Sequence, residues 1–411
     1  MSLNTTREPT VVCIASFFKG NDFLRECVAA GARVVLLTRE KMLSEPWARE
    51  AVAEVVGIPD GRGGVASYLE AATAIARRRR VTRIVALEEY DVLTAALVRE
   101  ELALPGMGST VARRFHDKLS MRVRAQEMGT RVPDFVHLLN SEEVSEFLAR
   151  VPPPWLLKPR TGASAMGMRL LREESEVWRA AAELDAREES SARAPQHLLE
   201  RFVRGGVCHV DSLVTDGRIV FNYAAAYGAP PLDVAHGGGV STSQTLRRGS
   251  REERQLLAAN RKVLAGLGFE SGATHAEFIV GEEGEVYFLE AAARVGGAYT
   301  VEEVEAATGI NLWREWARIE LSTPERPYEL PAARRDYAGL CISLARQEWP
   351  DTATYDDSEV AFRVSKSHHA GLVVRSAEYA RTAALIEEYR RRFTADFLAV
   401  APPEERPEQY L

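Results

Sequence analysis

Two glutamates stand inside apolar, strand-like runs, and this placement constrains the chain more than any other feature. Glu277 lies in His275-Ala276-Glu277-Phe278-Ile279 and Glu290 in Tyr287-Phe288-Leu289-Glu290-Ala291. Thr274–Val280 and Glu285–Ala291 read as strands joined across GEEG, an antiparallel hairpin. A carboxylate among strand hydrophobes is costly unless it is paired or metal-bound. On a hairpin the two can face one side, where they suit Mg²⁺, an ion held by one or two carboxylates plus phosphate oxygens. Two glutamates bridged by Arg294 or another base fit the same pattern, and the hairpin alone leaves both readings open.

Upstream, Lys158 ends the apolar run Trp155–Lys158. The segment Arg160-Thr161-Gly162-Ala163-Ser164-Ala165-Met166-Gly167 then turns the chain into Met168–Leu171. Small residues such as Gly162, Ser164 and Gly167 let backbone N–H groups approach phosphate oxygens while a lysine supplies charge. A plain hairpin turn has the same composition. No GK[ST] follows the glycines, so this is not a Walker loop. Of 52 basic residues only six are lysines. Two of them, Lys118 and Lys158, fall where a phosphate-binding lysine is expected, which points to a need for a compact ammonium there.

Three further segments carry chemistry. Glu200-Arg201-Phe202-Val203 closes the predicted strand Gln196–Phe202. An acid, backbone groups and two apolar residues at that place suit an adenine ring, and an edge strand with solvated Glu and Arg looks the same. Arg294-Val295-Gly296-Gly297 leaves the second hairpin strand. An arginine there suits a transferring phosphoryl group or an oxyanion, with the Gly296 and Gly297 amides open toward a substrate carboxylate; a surface strand end is the bland alternative. His236-Gly237-Gly238-Gly239 reads as a loop beside the site. Three glycines suit a flap that orders on a ligand, or a flexible surface connection.

Residues 10–110 alternate strands and helices: Thr10–Ala15, Phe23–Ala30, Arg33–Leu37, Ser67–Arg79 and Arg83–Leu87. This βαβ pattern predicts a parallel, doubly wound sheet, and the missing GxGxxG argues against a dinucleotide dehydrogenase. One helix, HDKLSMRVRAQEMG, precedes a strand near Asp134–Leu139. Val207–Val214 is another strand, and Arg251–Leu267 a long helix ended by Gly268. After the Pro-rich stretch Pro324–Pro331, residues 337–411 read as a small α/β unit. The fold class is thus α/β and α+β, multidomain, divided at 1–114, 115–323 (small lobe about 140–203) and 332–411.

At 411 residues the chain needs more than one core. No apolar run reaches membrane-spanning length, and MSLNTTREPT lacks the pattern of a signal peptide, so a cytoplasmic protein is expected. Four scattered cysteines fit neither disulfides nor a structural zinc. A net charge of −7 offers no footprint for nucleic acid.

In this order and spacing the residues resemble the ATP-grasp superfamily from about residue 10 to 322. Asp117-Lys118 resembles the opening of its ATP-binding region, Lys158 and its loop the phosphate-binding lysine and flap, and Glu200–Val203 the adenine hinge. Glu277, Glu290 and Arg294 resemble the paired metal carboxylates and arginine of E…E-x-N-x-R-x-G-G. HGGGVSTSQTL, ATHAEF and the helix after RVGG are most similar to carboxylate–amine ligases of the L-amino-acid ligase type. The resemblance implies ATP, Mg²⁺ or Mn²⁺, a carboxylate and an amine as substrates, and a homodimer. It implies Lys158 and Arg294 in catalysis, Glu277 and Glu290 on metal, and His236, Gly237, Gly238, Gly296 and Gly297 near substrate.

Two positions depart from the pattern. Ala292 stands where the signature has asparagine, and Val207 where an acid often meets the ribose. His209 and Asp211 share a face with Val207 by two-residue alternation and are candidates to replace that acid. The departures leave two alternatives: a non-catalytic nucleotide-binding protein, or a bicarbonate-activating enzyme of the same superfamily. Arg363, Lys366, His368 and His369 form a basic cluster that reads either as an acceptor site or as surface.

Overall fold

The computed structural model describes residues 8–60, 64–162, 166–187 and 196–400. Ser164 therefore lies outside the described residues. The first sheet is β1 (Thr10–Ala15), β2 (Arg33–Arg39), β3 (Glu54–Ile58) and β4 (Val81–Ala86), parallel throughout in the order β3-β2-β1-β4. Every residue of β1 is buried, as a parallel strand covered on both faces requires. Its side chains alternate between two cores. Val12 and Ile14 join Tyr68, Ala72 and Ile75, while Val11 and Cys13 join Phe23, Leu24 and Cys27. The edge strand β3 was not expected, because EVVGI is short, half-buried and carries a glycine.

A second, antiparallel sheet contains β5 (Phe135–His137), β6 (Trp155–Pro159), β7 (Arg169–Leu171) and β8 (His197–Arg201) in the order β5-β8-β6-β7. The helices Ser141–Arg150 and Glu174–Arg187 supply Phe147 and Val177 to its core, against Trp155, Leu157 and Leu199.

The third sheet has eight strands: β9 (Gly205–Thr215), β10 (Arg218–Tyr227), β11 (Ser241–Thr245), β12 (Gly272–Gly281), β13 (Val286–Ala292), β14 (Tyr337–Leu344), β15 (Val360–Arg363) and β16 (His369–Ser376). Its order is β13-β12-β9-β10-β11-β14-β16-β15, antiparallel at every step. The strands after the Pro-rich stretch thus dock on β11 and continue this sheet, with the helix Tyr379–Asp396 packed over them through Leu385, Tyr389 and Phe393.

Local signals explain most boundaries. Ser250 caps Arg251–Leu267 by accepting from Glu253 N at 3.0 Å, and Gly268 at φ 85° ends it. The single helix expected over residues 116–129 is broken at Asp117, where Ser109–His116 stops. The Asp117 carboxylate caps Lys118–Glu127, accepting from Leu119 N at 3.0 Å and Ser120 N at 3.4 Å. β10 carries the run Ala224–Ala226, which has no strand preference; pairing with β9 and β11 on both sides imposes it. No helix among the described residues is long and apolar enough to cross a membrane.

β9 begins against the end of β12. A Cβ on Gly205 would stand 2.3 Å from the Val280 carbonyl oxygen, a backbone atom that cannot swing aside. Gly205→Ala is expected to cost about 1–3 kcal/mol, read as a lower urea midpoint at unchanged slope. An unchanged midpoint would mean that β9 slides freely at its first residue.

Candidate active site

The carboxylates foreseen as a pair are one. Glu277 on β12 and Glu290 on β13 are direct cross-strand neighbours, so their side chains leave the same face. Glu277 accepts from the Tyr227 hydroxyl at 2.9 Å and lies 3.5 Å from His275 Nε2. Glu290 Oε2 is 3.3 Å from Lys118 Nζ. Burial works to raise the Glu290 carboxyl, but the cations of Lys118, Lys158 and Arg122 outweigh it and hold the group below its ordinary range.

Lys118 starts the helix that Asp117 caps. Its ammonium donates to Gly162 O at 2.7 Å, and its own N–H donates to Arg160 O at 2.7 Å. Arg160 in turn pairs with Asp117. The helix start, the loop after β6 and the third sheet therefore meet at one lysine.

Lys158 is 1% exposed and paired with Glu200, which also accepts from Arg122 Nε at 2.7 Å. Burial lowers the Lys158 ammonium to about 8, against the pull of Glu200. This corrects the reading of Glu200 as an adenine acceptor: both of its oxygens are engaged, and it serves as the counter-ion that lets Lys158 and Arg122 stay buried. Arg201 is engaged outside that cluster, with Tyr287 Oη at 3.0 Å and Asp134 at 3.3 Å. Phe202 N donates to Pro154 O at 3.1 Å, and Val203 follows it on the link to β9.

A second correction concerns His209 and Asp211, both 0% exposed. Asp211 Oδ2 bonds His209 Nδ1 at 2.7 Å and Oδ1 bonds His275 Nδ1 at 2.9 Å, while His209 Nε2 meets Ser243 Oγ at 2.9 Å. Every polar atom of His209 and Asp211 is spent inside the sheet, so neither has one left for a ribose. His209, Asp211 and His275 offer donor atoms all within 4.8 Å of one another, the spacing of a metal cage. The chemistry does not suit one. Asp211 already bonds both rings, and burial works against a charged His275 while Asp211 and Glu277 raise it to about 10. The oxygen donors that suit a hard cation are Glu277 and Glu290.

Arg294 leaves β13 toward the parallel sheet. Its Nε lies 3.2 Å from Glu89 Oε2, and its Nη1 donates to Val295 O at 2.7 Å. Burial works to lower this guanidinium, but Glu89, Glu88, Glu290 and Glu277 outweigh it and raise it. Ala292, at the asparagine position, is buried and pairs across the strands with His275. Gly296 packs so closely on His275 that a Cβ would stand 2.8 Å from Nδ1, and Gly297 O accepts from Thr300 Oγ1 at 2.7 Å.

His236 and Gly237 end the short helix Pro231–Gly237, and Gly238 and Gly239 follow at positive φ. Gly162 and Gly167 flank the undescribed residues 163–165, also at positive φ. In the C-terminal strands, Arg363 bonds Tyr355 O at 2.7 Å and His369 Nδ1 meets Ser367 O at 2.7 Å, so two members of that basic cluster serve local backbone.

Arg122, Glu89, His116 and His275 were not foreseen as site residues. Arg122 is four residues after Lys118 on one helix face, and His275 two before Glu277 on one strand face, so periodicity carried both signals. Glu89 follows the carboxyl end of β4, where open parallel sheets place ligands. Glu89, His116, Lys118, His275, Glu290 and Arg294 line one cleft of about 30 Å³.

A family model described as carbamoyl-phosphate synthase L chain, ATP binding domain, matches residues 117–325, just over half of the chain. The chain belongs to this ATP-grasp family. Among relatives, the L-arginine-specific L-amino acid ligase of Bacillus subtilis is 22% identical over 241 residues, 58% of this chain and 57% of that protein. The alanine–anticapsin ligase of the same organism is 24% identical over 251 residues, 56% of this chain and 52% of that protein. This ATP-grasp chain thus aligns with little more than half the length of each. A solved L-amino acid ligase from Bacillus licheniformis superposes with a TM-score of 0.74 over 96% of this chain and 99% of that one, at 17% identity, which shows a shared fold. The ATP-grasp expectation and the multidomain α/β fold both hold.

The buried cluster and the His275 pairings make two predictions. Glu200→Ala leaves the buried Lys158 and Arg122 cations without their counter-ion and should destabilise the protein by about 3–5 kcal/mol; calorimetric melting checks this, and a loss under about 1 kcal/mol would contradict it. His275 has a folded pKa of about 10 against an ordinary 6.5, so its stabilisation is full below pH 6.5 and is lost as pH rises toward 10. The stability difference between wild type and His275→Gln should therefore shrink over that window. A pH-independent difference would mean a neutral ring in the fold.

Proposed function

We propose that this protein is an ATP-dependent carboxylate–amine ligase. It activates a small carboxylic acid as an acyl phosphate, passes the acyl group to an amine and releases ADP and phosphate. One observation carries the reading. Glu277 and Glu290 leave one face of adjacent strands beside Lys118, and the cleft there also carries Arg294, paired with Glu89 at 3.2 Å. A carboxylate pair, a lysine and an arginine around one cleft suit a metal-bound phosphate and a substrate carboxylate.

ATP lies between the small lobe and the third sheet, its adenine against backbone of Arg201–Val203 and its phosphates on Lys118 and Lys158. Lys118 exchanges Gly162 O and Glu290 for phosphate oxygens, and the small lobe moves outward, since a cleft of about 30 Å³ is water-sized. Glu277 and Glu290 would hold Mg²⁺, which would supply charge neutralisation for the β and γ phosphates. The acid's carboxylate oxygen attacks the γ-phosphorus in line as the bond to ADP breaks. Arg294, held by Glu89, orients that carboxylate. It then faces the oxyanion as the amine nitrogen attacks the acyl carbon, phosphate leaves and the amine loses its proton. The Gly237–Gly239 segment shields the acyl phosphate from water.

The test is phosphate release from ATP and Mg²⁺ across amino acids, singly and in pairs, with simple acids and bicarbonate included. Release that needs an acid and an amine together is expected. Release needing bicarbonate would replace the reading with carboxylation, and ATP binding without any release would replace it with a nucleotide sensor, the reading Ala292 favours. Arg294→Ala should lower kcat by roughly two orders of magnitude with little change in ATP affinity; undiminished ligation would remove Arg294 from the mechanism.

A further inference from the structure

A cavity of about 410 Å³, well within the size range of small-molecule sites, opens between the parallel sheet and the third sheet, away from the cleft just described. One wall is β4 with the loop Pro105–Gly108; the other is the β9–β10 turn with the helix Leu312–Glu320. Arg99 fastens the first wall, donating from Nη1 to Ile84 O at 2.7 Å and from Nε to Met107 O at 3.1 Å. Trp316, Phe269, Ile319 and Met107 give the cavity apolar surface.

Glu320 faces two cations in it, Arg99 and Arg83, and its pairing with Arg83 is loose. Glu320 Oε1 accepts from the Trp316 indole at 3.0 Å, but Oε2 is 3.9 Å from Arg83 Nε, beyond hydrogen-bond reach. The Glu320 side chain is only 20% exposed, and Arg83 spends Nη1 on Thr82 O at 2.9 Å. Oε2 therefore keeps accepting capacity toward the cavity. The arrangement suits a ligand that brings its own pair of charges.

We propose that this cavity binds a free apolar amino acid as its zwitterion, the ammonium on Glu320 and the carboxylate on Arg83, with the side chain against Trp316 and Phe269. A free amino acid carries its two charges on one carbon, and so matches a carboxylate and guanidinium that stand side by side. A peptide, whose termini lie at least a residue apart, does not. The inference is independent of the ligase reading, because it concerns a second site. The two are nonetheless adjoined. Ala293 lines this cavity while Arg294, next in the chain, lines the cleft, and β4 runs past the cavity into Glu89. Occupancy therefore bears directly on the two segments that hold the Arg294–Glu89 pair.

The experiment is isothermal titration of L-leucine into the nucleotide-free full-length protein, for wild type, Arg83→Gln, Glu320→Gln, Ser322→Trp and Arg294→Ala, each checked by thermal melting. Ser322→Trp fills the cavity from its rim and leaves Arg83 and Glu320 unsubstituted, and so keeps the test open should a charge variant fail to fold. Wild type and Arg294→Ala are expected to bind alike. Each folded cavity variant should bind at least roughly tenfold more weakly. L-Leucinamide, 4-methylpentanoate and L-leucyl-L-leucine, which lack one charge or separate the two, should bind more weakly than L-leucine. Binding that survives the cavity variants, binding lost only in Arg294→Ala, or no binding to wild type would overturn the proposal.

Discussion

Arg122, Glu200 and Lys158 form a buried cluster of two cations and one anion, and the arrangement of the cleft depends on it. None of the three would be tolerated alone in that interior, because desolvating a single ion costs several kcal/mol. Together they tie the helix after Asp117 to β6 and β8. Lys118 repeats the device one helical turn earlier, reaching Gly162 in the small lobe and Glu290 on the third sheet. The lobes are thus held by ion pairs that phosphate oxygens can replace like for like. In the proposed function, that exchange would let one set of residues both close the cleft and admit a nucleotide.

Behind the carboxylate pair runs a second polar chain, from Glu277 through His275, Asp211, His209 and Ser243 to Glu303. Its members from Glu277 to Ser243 lie on the largest sheet and Glu303 on the helix Thr300–Thr308 packed against it, where an unpaired polar atom is costly, so each fixes the orientation of the next. Glu303 ends the chain with its carboxyl pushed up to about 7 by burial, accepting from the Tyr223 hydroxyl at 2.9 Å. The consequence at the surface of the sheet is that Glu277 is aimed by His275 and Tyr227, supports of the kind that give ligand carboxylates their geometry.

The cleft and the Arg83–Glu320 cavity lie on opposite sides of the chain segment Ala293–Arg294. Strand exit residues alternate faces, so neighbours in sequence serve different sites. Kinetic effects of cavity variants are therefore to be read beside their effects on binding.

The hairpin, the Lys158 loop, the parallel N-terminal sheet and the Arg251–Leu267 helix were legible in the sequence, because periodicity, turn residues and caps are local properties. The Glu277–Glu290 pairing was legible too, since a short turn between strands leaves few registers. Side-chain partnership was not. Glu200 read as a free acid until Arg122 and Lys158, distant in sequence, closed on it, and His209 and Asp211 read as ribose candidates until Ser243, His275 and each other took up their polar atoms. The docking of β14 on β11 and the facing of Arg83 with Glu320 have no local signature at all. The sequence by itself determined which residues could carry charge into the interior. Only the tertiary structure decided which charges meet, because burial energy depends on what packs around a group and not on its neighbours along the chain.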